Sequence, residues 1–162
     1  MSLYSPEINL PTGIQINKDA FVVIIRTEWN APIIDELTKG CTDVLLENNI
    51  AHEIINVPGA FEIPFTIKKY WDTHENKNIA AFIALGCVIR GDTPHFDFVS
   101  NAVTDGILQL NLSLPIPTIF GILTVDNELQ AIERIGGKHG HKGKEAAITA
   151  IKMIATVDSF KK

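Results

Sequence analysis

The chain has 162 residues, of which 46% are hydrophobic, 7% aromatic and 20% charged. That suits one domain burying roughly two thirds of its unfolded surface, and it is too apolar for a disordered chain. A formal charge of -5 and a pI near 5.5 exclude a nucleic-acid backbone as the main partner, because phosphate binding needs a basic face.

Residues 1–18 mix Pro6, Pro11 and Gly13 with polar side chains and read as an extended arm. They show neither a basic stretch leading into an apolar one nor an Arg/Ser-rich amphipathic pattern. The longest apolar run, residues 79–89, is too short to span a bilayer, so a cytoplasmic protein without membrane contact is expected. Ala20 to Arg26 is a β-branched run of strand length. From Ile33 the apolar residues fall at 33, 34, 37, 41, 44 and 45, a helical stripe that stops near Asn48 and Asn49. A second strand, His52 to Val57, leads through Pro58 and Gly59 to a helix over residues 63–71, with Pro64 in its first turn.

The third strand, IAAFIALGCVI, is apolar throughout, the pattern of a parallel strand covered on both faces. Phe98, Val99, Ala102, Val103, Gly106, Ile107 and Leu110 then recur at helical spacing. Thr118 to Leu123 makes a fourth strand, residues 127–135 a short helix, and residues 145–157 a last helix after a Gly/Lys/His-rich loop. The β-α-β-α-β-α-β-α order predicts one domain over residues 1–162. Its architecture is a three-layer α/β/α sandwich with a four-stranded parallel sheet, flavodoxin-like in outline. Cys41 and Cys87 sit in apolar runs without CxxC spacing and read as buried, reduced thiols.

Open parallel sheets bind ligands beyond the carboxyl ends of their strands. The chemically unusual residues are expected to gather there: Trp29 and Asn30 after strand one, Gly59, Ala60, Phe61 and Glu62 after strand two, Gly91 to His95 after strand three, and Phe120-Gly121 in strand four. Thr93 reads as an N-cap with Pro94 at the first helical position, and a glycine before such a helix leaves free N–H groups for an anion. The alternative is a plain βα turn. Residues 86–93 mimic a P-loop, but Asp92 stands where its lysine would be, which argues against a nucleotide triphosphate.

His95, beside a helix start, is the candidate general acid/base. Residues 134–144 (RIGGKHGHKGK) carry four basic residues and two histidines without an acid, which reads either as a solvated loop or as a clamp on a small anion. His139 and His141 lack a third ligand, so no metal is expected. Trp29 and Phe120 can pack or stack on a flat heterocycle, and Glu62 can cap its helix or bind a polyol. His52 and His74 read as solvent-facing.

Four segments in order, VPGAFEIP (57–64), ALGCVIRGDTPHFDFV (84–99), FGILTVDN (120–127) and ERIGGKHGHKG (133–143), resemble the lumazine synthase family over nearly the whole chain. The resemblance implies condensation of 5-amino-6-(D-ribitylamino)uracil with 3,4-dihydroxy-2-butanone 4-phosphate to 6,7-dimethyl-8-ribityllumazine, with loss of phosphate and water and without a metal or organic cofactor. It implies that Trp29 stacks on the pyrimidine beside Asn30, that Ala60, Phe61 and Glu62 line the ribityl chain, and that Gly59 also belongs to the substrate-binding residues. Cys87, Val88 and Ile89 would meet the pyrimidine edge through their backbone. Gly91, Asp92 and Thr93 would hold the phosphate with Arg134, His95 would move protons, and Lys142 would support the charged groups. Phe120, Arg134 and Lys142 resemble residues that a neighbouring subunit contributes.

The family also implies a homopentamer, with riboflavin synthase as a further partner. No long insertion separates Arg134 from Lys142, which favours a sixty-subunit icosahedral shell. This chain departs from the family pattern in His141, where Asn is common, in Asp92 and in Trp29, where Phe is common. Two other classes fit the elements: a non-catalytic lumazine- or riboflavin-binding relative, and an aldolase forming a Schiff base on Lys142.

Overall fold

The computed structural model describes residues 8–161. Four strands, β1 (Phe21–Thr27), β2 (Ala51–Val57), β3 (Ile79–Ile89) and β4 (Thr118–Val125), form one parallel sheet in the order β2-β1-β3-β4. Five helices accompany them: α1 (Ala31–Glu47), α2 (Ile63–Thr73), α3 (His95–Ser113), the short α4 (Glu128–Ile132) and α5 (Lys142–Ser159). The architecture is the three-layer α/β arrangement expected from the alternation of elements.

The alternation of β1 assigns its side chains to two cores. Val22 and Ile24, with Ala81, Ile83 and Leu85 of β3, pack under Cys41, Val44 and Leu45 of α1 and Ala147, Ala150 and Ile151 of α5. Val23 and Ile25, with Phe82 and Ala84, pack under Ile63 and Ile67 of α2 and Val103 and Ile107 of α3. Both faces of β3 are therefore covered, as its unbroken apolar run requires. Phe82, Ile83 and Leu85 are each fully buried, at about 1.5–3 kcal/mol of transfer free energy per side chain.

Two glycines permit the helix contacts. A Cβ on Gly106 would lie 2.5 Å from Cγ of Pro64, so α3 can approach α2 only with no side chain there. A Cβ on Gly143 would fall on the Leu37 carbonyl, which fixes the start of α5 against α1.

Several boundaries differ from the sequence expectation. α5 begins at Lys142 rather than Glu145, and α3 at His95 rather than Pro94. Asn127 is the N-cap of α4, its side chain accepting from the Gln130 N–H at 3.0 Å, rather than the first helical residue. The basic loop holds a small antiparallel hairpin, β5 (Ile135–Gly137) and β6 (Gly140–His141), too short to show periodicity. Residues 1–7 of the expected arm lie outside the described residues. Its remainder forms no strand: Leu10, Ile14 and Ile16 pack against the core beneath α1 and α5. His74 is not solvent-facing; it stacks on Tyr70 with ring centroids 3.9 Å apart.

Candidate active site

The carboxyl ends of β1, β2 and β3 are stitched together by the backbone. The Glu28 N–H donates to the Val57 carbonyl at 2.9 Å, and that of Trp29 to Pro58 at 3.3 Å. Asn30 then adopts a left-handed conformation (φ 61°), tolerated best by Gly and Asn, and caps α1 with its own carbonyl. Its side-chain amide donates to the Cys87 carbonyl at 2.9 Å, binding the end of β1 to that of β3.

A cavity of about 690 Å³ opens beside these ends, on the side of the sheet covered by α2 and α3. Trp29 and Asn30 line it from β1, and Gly59, Ala60, Phe61 and Glu62 from the turn after β2. Cys87, Val88, Ile89, Gly91, Thr93 and His95 line it from β3 and the start of α3. Trp29 and Phe61 keep 70% and 62% of their surface exposed at the mouth, large apolar rings that a lone soluble chain has no folding reason to leave in water.

Thr27, Pro58, Phe96 and Val99 also line the cavity and are not among the candidate site residues, although all but Thr27 lie inside the quoted motifs. Periodicity carries a signal for two of them. Thr27 is two residues beyond Ile25 on the same face of β1, and Val99 is one turn beyond His95 on α3.

The Gly91–His95 turn differs in detail from the sequence expectation. Pro94, not Thr93, is the N-cap residue, and no side chain caps the helix. The Thr93 hydroxyl lies 3.5 Å from the His95 N–H, at the outer limit of a hydrogen bond. Asp92 does not line the cavity. Burial pushes the Cys87 thiol up to about 11, with Glu128 adding to the shift, and burial pushes Cys41 up to about 12. Neither is a thiolate at neutral pH.

Phe120, Arg134 and Lys142 do not join this cavity. Phe120 pairs with Ala84 in mid-strand, well short of the carboxyl end of β4 where the sequence reading placed it. The ring is 43% exposed, because β4 is an edge strand whose outer side has no neighbour within the chain. It lines a second groove of about 460 Å³ with Ile8, Thr118, Lys142, Glu145 and Met153 among others.

The basic loop also faces acids that its composition hid. The Lys142 ammonium lies 2.7 Å from Glu145, and His139 lies 3.6 Å from Glu133. The Arg134 guanidinium donates to the Gln130 carbonyl at 2.7 Å, while the Arg134 carbonyl accepts from the Lys142 N–H at 2.8 Å. Among the described residues, no group of three or more His, Cys, Asp or Glu side chains is placed to hold a metal ion. No helix of the described residues is long and apolar enough to cross a membrane.

The family model of 6,7-dimethyl-8-ribityllumazine synthase matches residues 19–158. The chain belongs to that family. It is 48% identical over 144 residues to the 6,7-dimethyl-8-ribityllumazine synthase of Porphyromonas gingivalis, covering 87% of this chain and 88% of that protein. With the protein of the same name from Cytophaga hutchinsonii it shares 46% identity over 159 residues, 96% of this chain and 94% of the relative. A third, from Parabacteroides distasonis, is 48% identical over 149 residues, 90% of this chain and 89% of the relative.

His141 gives the hairpin a pH dependence. Its Nδ1 accepts the Lys144 N–H at 3.4 Å as the N-cap of α5, which requires that nitrogen to be unprotonated. Burial, and then the Lys144 ammonium, hold its pKa below the ordinary 6.5. A histidine that folding makes less basic stabilises the fold fully above about pH 6.5, and the contribution is lost as pH falls through the folded-state value. Asn at this position caps without titrating. His141→Asn is therefore expected to flatten the fall in urea-unfolding stability below pH 6.5. Superimposable acid limbs for the two proteins would contradict this assignment.

Proposed function

We propose that the protein condenses 5-amino-6-(D-ribitylamino)uracil with 3,4-dihydroxy-2-butanone 4-phosphate, giving 6,7-dimethyl-8-ribityllumazine, phosphate and water. The carrying observation is the composition of one cavity: an exposed indole, a carboxylate and a histidine at a helix start meet around about 690 Å³. That volume suits a small heterocycle with its polyol chain. Trp29 offers a face for the pyrimidine, and Glu62 an acceptor for the ribityl hydroxyls. Asn30 spends its amide on Cys87 and keeps its carbonyl oxygen for a ring N–H.

The backbone N–H groups at Gly91 and Thr93, at the positive end of α3, receive the phosphate. His95 takes and returns protons as the 5-amino group adds to the ketone, water leaves the resulting carbinolamine to give an imine, the C–O bond to phosphate breaks, and the ribitylamino nitrogen closes the ring with loss of a second water. Holding amine and ketone together supplies much of the rate, since the entropic cost of their encounter is met on binding.

One chain lacks the cationic half of this site. Phe120 and Lys142 open into a different groove, and Arg134 lines neither space. A second copy of the chain, bringing its Phe120, Arg134 and Lys142 to the mouth of this cavity, completes it. It also covers the exposed rings of Trp29, Phe61 and Phe98. The assembly is a ring of five, twelve of which close into a shell. A solution mass of five chains alone would restrict it to the ring.

The decisive assay uses pure, metal-free protein with both substrates and follows the fluorescent lumazine and the released phosphate. Turnover well above the spontaneous rate is expected, falling about 10²–10⁴-fold in His95→Ala if proton transfer limits the reaction. No acceleration by the folded protein would reject the reading and leave a carrier of lumazine or riboflavin in its place.

A further inference from the structure

The turn that carries His95 is poorly anchored by its own residues. No side chain caps α3, and the Thr93 hydroxyl stands 3.5 Å from the His95 N–H. Residues 91–95 are all exposed, and a Cβ on Gly91 would meet nothing within 4 Å, so packing does not hold the turn either. What holds it comes from the preceding residue. The Arg90 N–H donates to the Val125 carbonyl at 2.9 Å, fixing its backbone to the end of β4. Its guanidinium carbon lies 4.0 Å from the centre of the Phe96 ring. Nη1 lies 3.2 Å from Asp97, and Nε donates to Asp126, just beyond β4, at 3.1 Å. One planar cation thus grips both residues after His95 and ties them to the neighbouring strand.

We propose that Arg90 is a positioning residue for the condensation: it sets the Gly91–His95 turn and, through Phe96, one wall of the cavity, without touching substrate. This rests on the proposed function. Exposed ion pairs of this kind add little to global stability. Their worth here is geometric, because a group displaced by about 1 Å can cost on the order of 10²-fold in rate. Arg is required for the fork and the flat face; Lys keeps only the charge.

The experiment compares wild type with Arg90→Met, Arg90→Lys and Asp126→Asn in steady-state kinetics for both substrates, in calorimetric titration with inorganic phosphate, and in thermal unfolding. Arg90→Met is expected to raise KM for the phosphorylated ketone and lower kcat, each by about tenfold or more. Its KM for the pyrimidine and its melting temperature should stay near wild type, and its inorganic phosphate binding should weaken. Arg90→Lys should recover part of the loss, and Asp126→Asn should show a smaller loss of the same kind. Should Arg90→Met fail to fold, the other two variants carry the comparison.

Wild-type kinetics in folded variants would overturn the proposal alone. Losses that strike both substrates equally and track a fall in melting temperature would also overturn it, leaving Arg90 a structural residue. Absence of turnover in wild type would overturn the proposed function and this inference with it.

Discussion

A strand without one polar side chain has no face to offer to water. β3 is that strand, and its position between β1 and β4 obliges the chain to cover the sheet twice. α1 and α5 take one side, α2 and α3 the other. With both faces closed, polar chemistry in the sheet has only the strand ends left to occupy. The ends at Thr27, Val57 and Ile89 open directly into turns, and those turns hold Trp29, Glu62 and His95 around one cavity. The position of the site follows from the burial of the strand.

The same constraint explains what the sequence made legible. Continuous apolar runs and four-residue stripes are local signals, and they placed four strands, their parallel direction and both helical layers, but not the order of the strands in the sheet. The turns after β1, β2 and β3 were legible because their residues are odd for a purely structural role. Phe120 was not, because its place depends on which side of β4 lacks a neighbour, and that is a property of the assembled sheet. The hairpin β5–β6 has strands of three and two residues, too short for any period to show. Likewise, the acids facing Lys142 and His139 are Glu145 and Glu133, which bound the basic segment on either side, and the first turn of α5 and the hairpin bring them into contact.

Electrostatics divides the proposed site into halves of different character. The cavity within one chain is largely apolar and aromatic, with Glu62 and His95 its titratable groups apart from the buried Cys87 thiol. The cationic half lies on another edge, where each basic group already has a partner: Lys142 with Glu145, Arg134 with a helix-end carbonyl. Such pairing keeps side chains in place, so an incoming phosphate does not have to order loose cations from scratch. An acidic chain can then hold anions locally without a basic surface.

The central claim is that one chain supplies the cavity and another its cations. Co-expression of differently tagged His95→Ala and Arg134→Ala chains, followed by purification through both tags, tests it directly. Each variant alone is expected to be nearly inactive. The mixed assembly should recover activity, since some interfaces join an intact His95 to an intact Arg134 of the neighbouring chain. A mixed assembly as inactive as its parents would contradict the account and place both residues in service of the same chain.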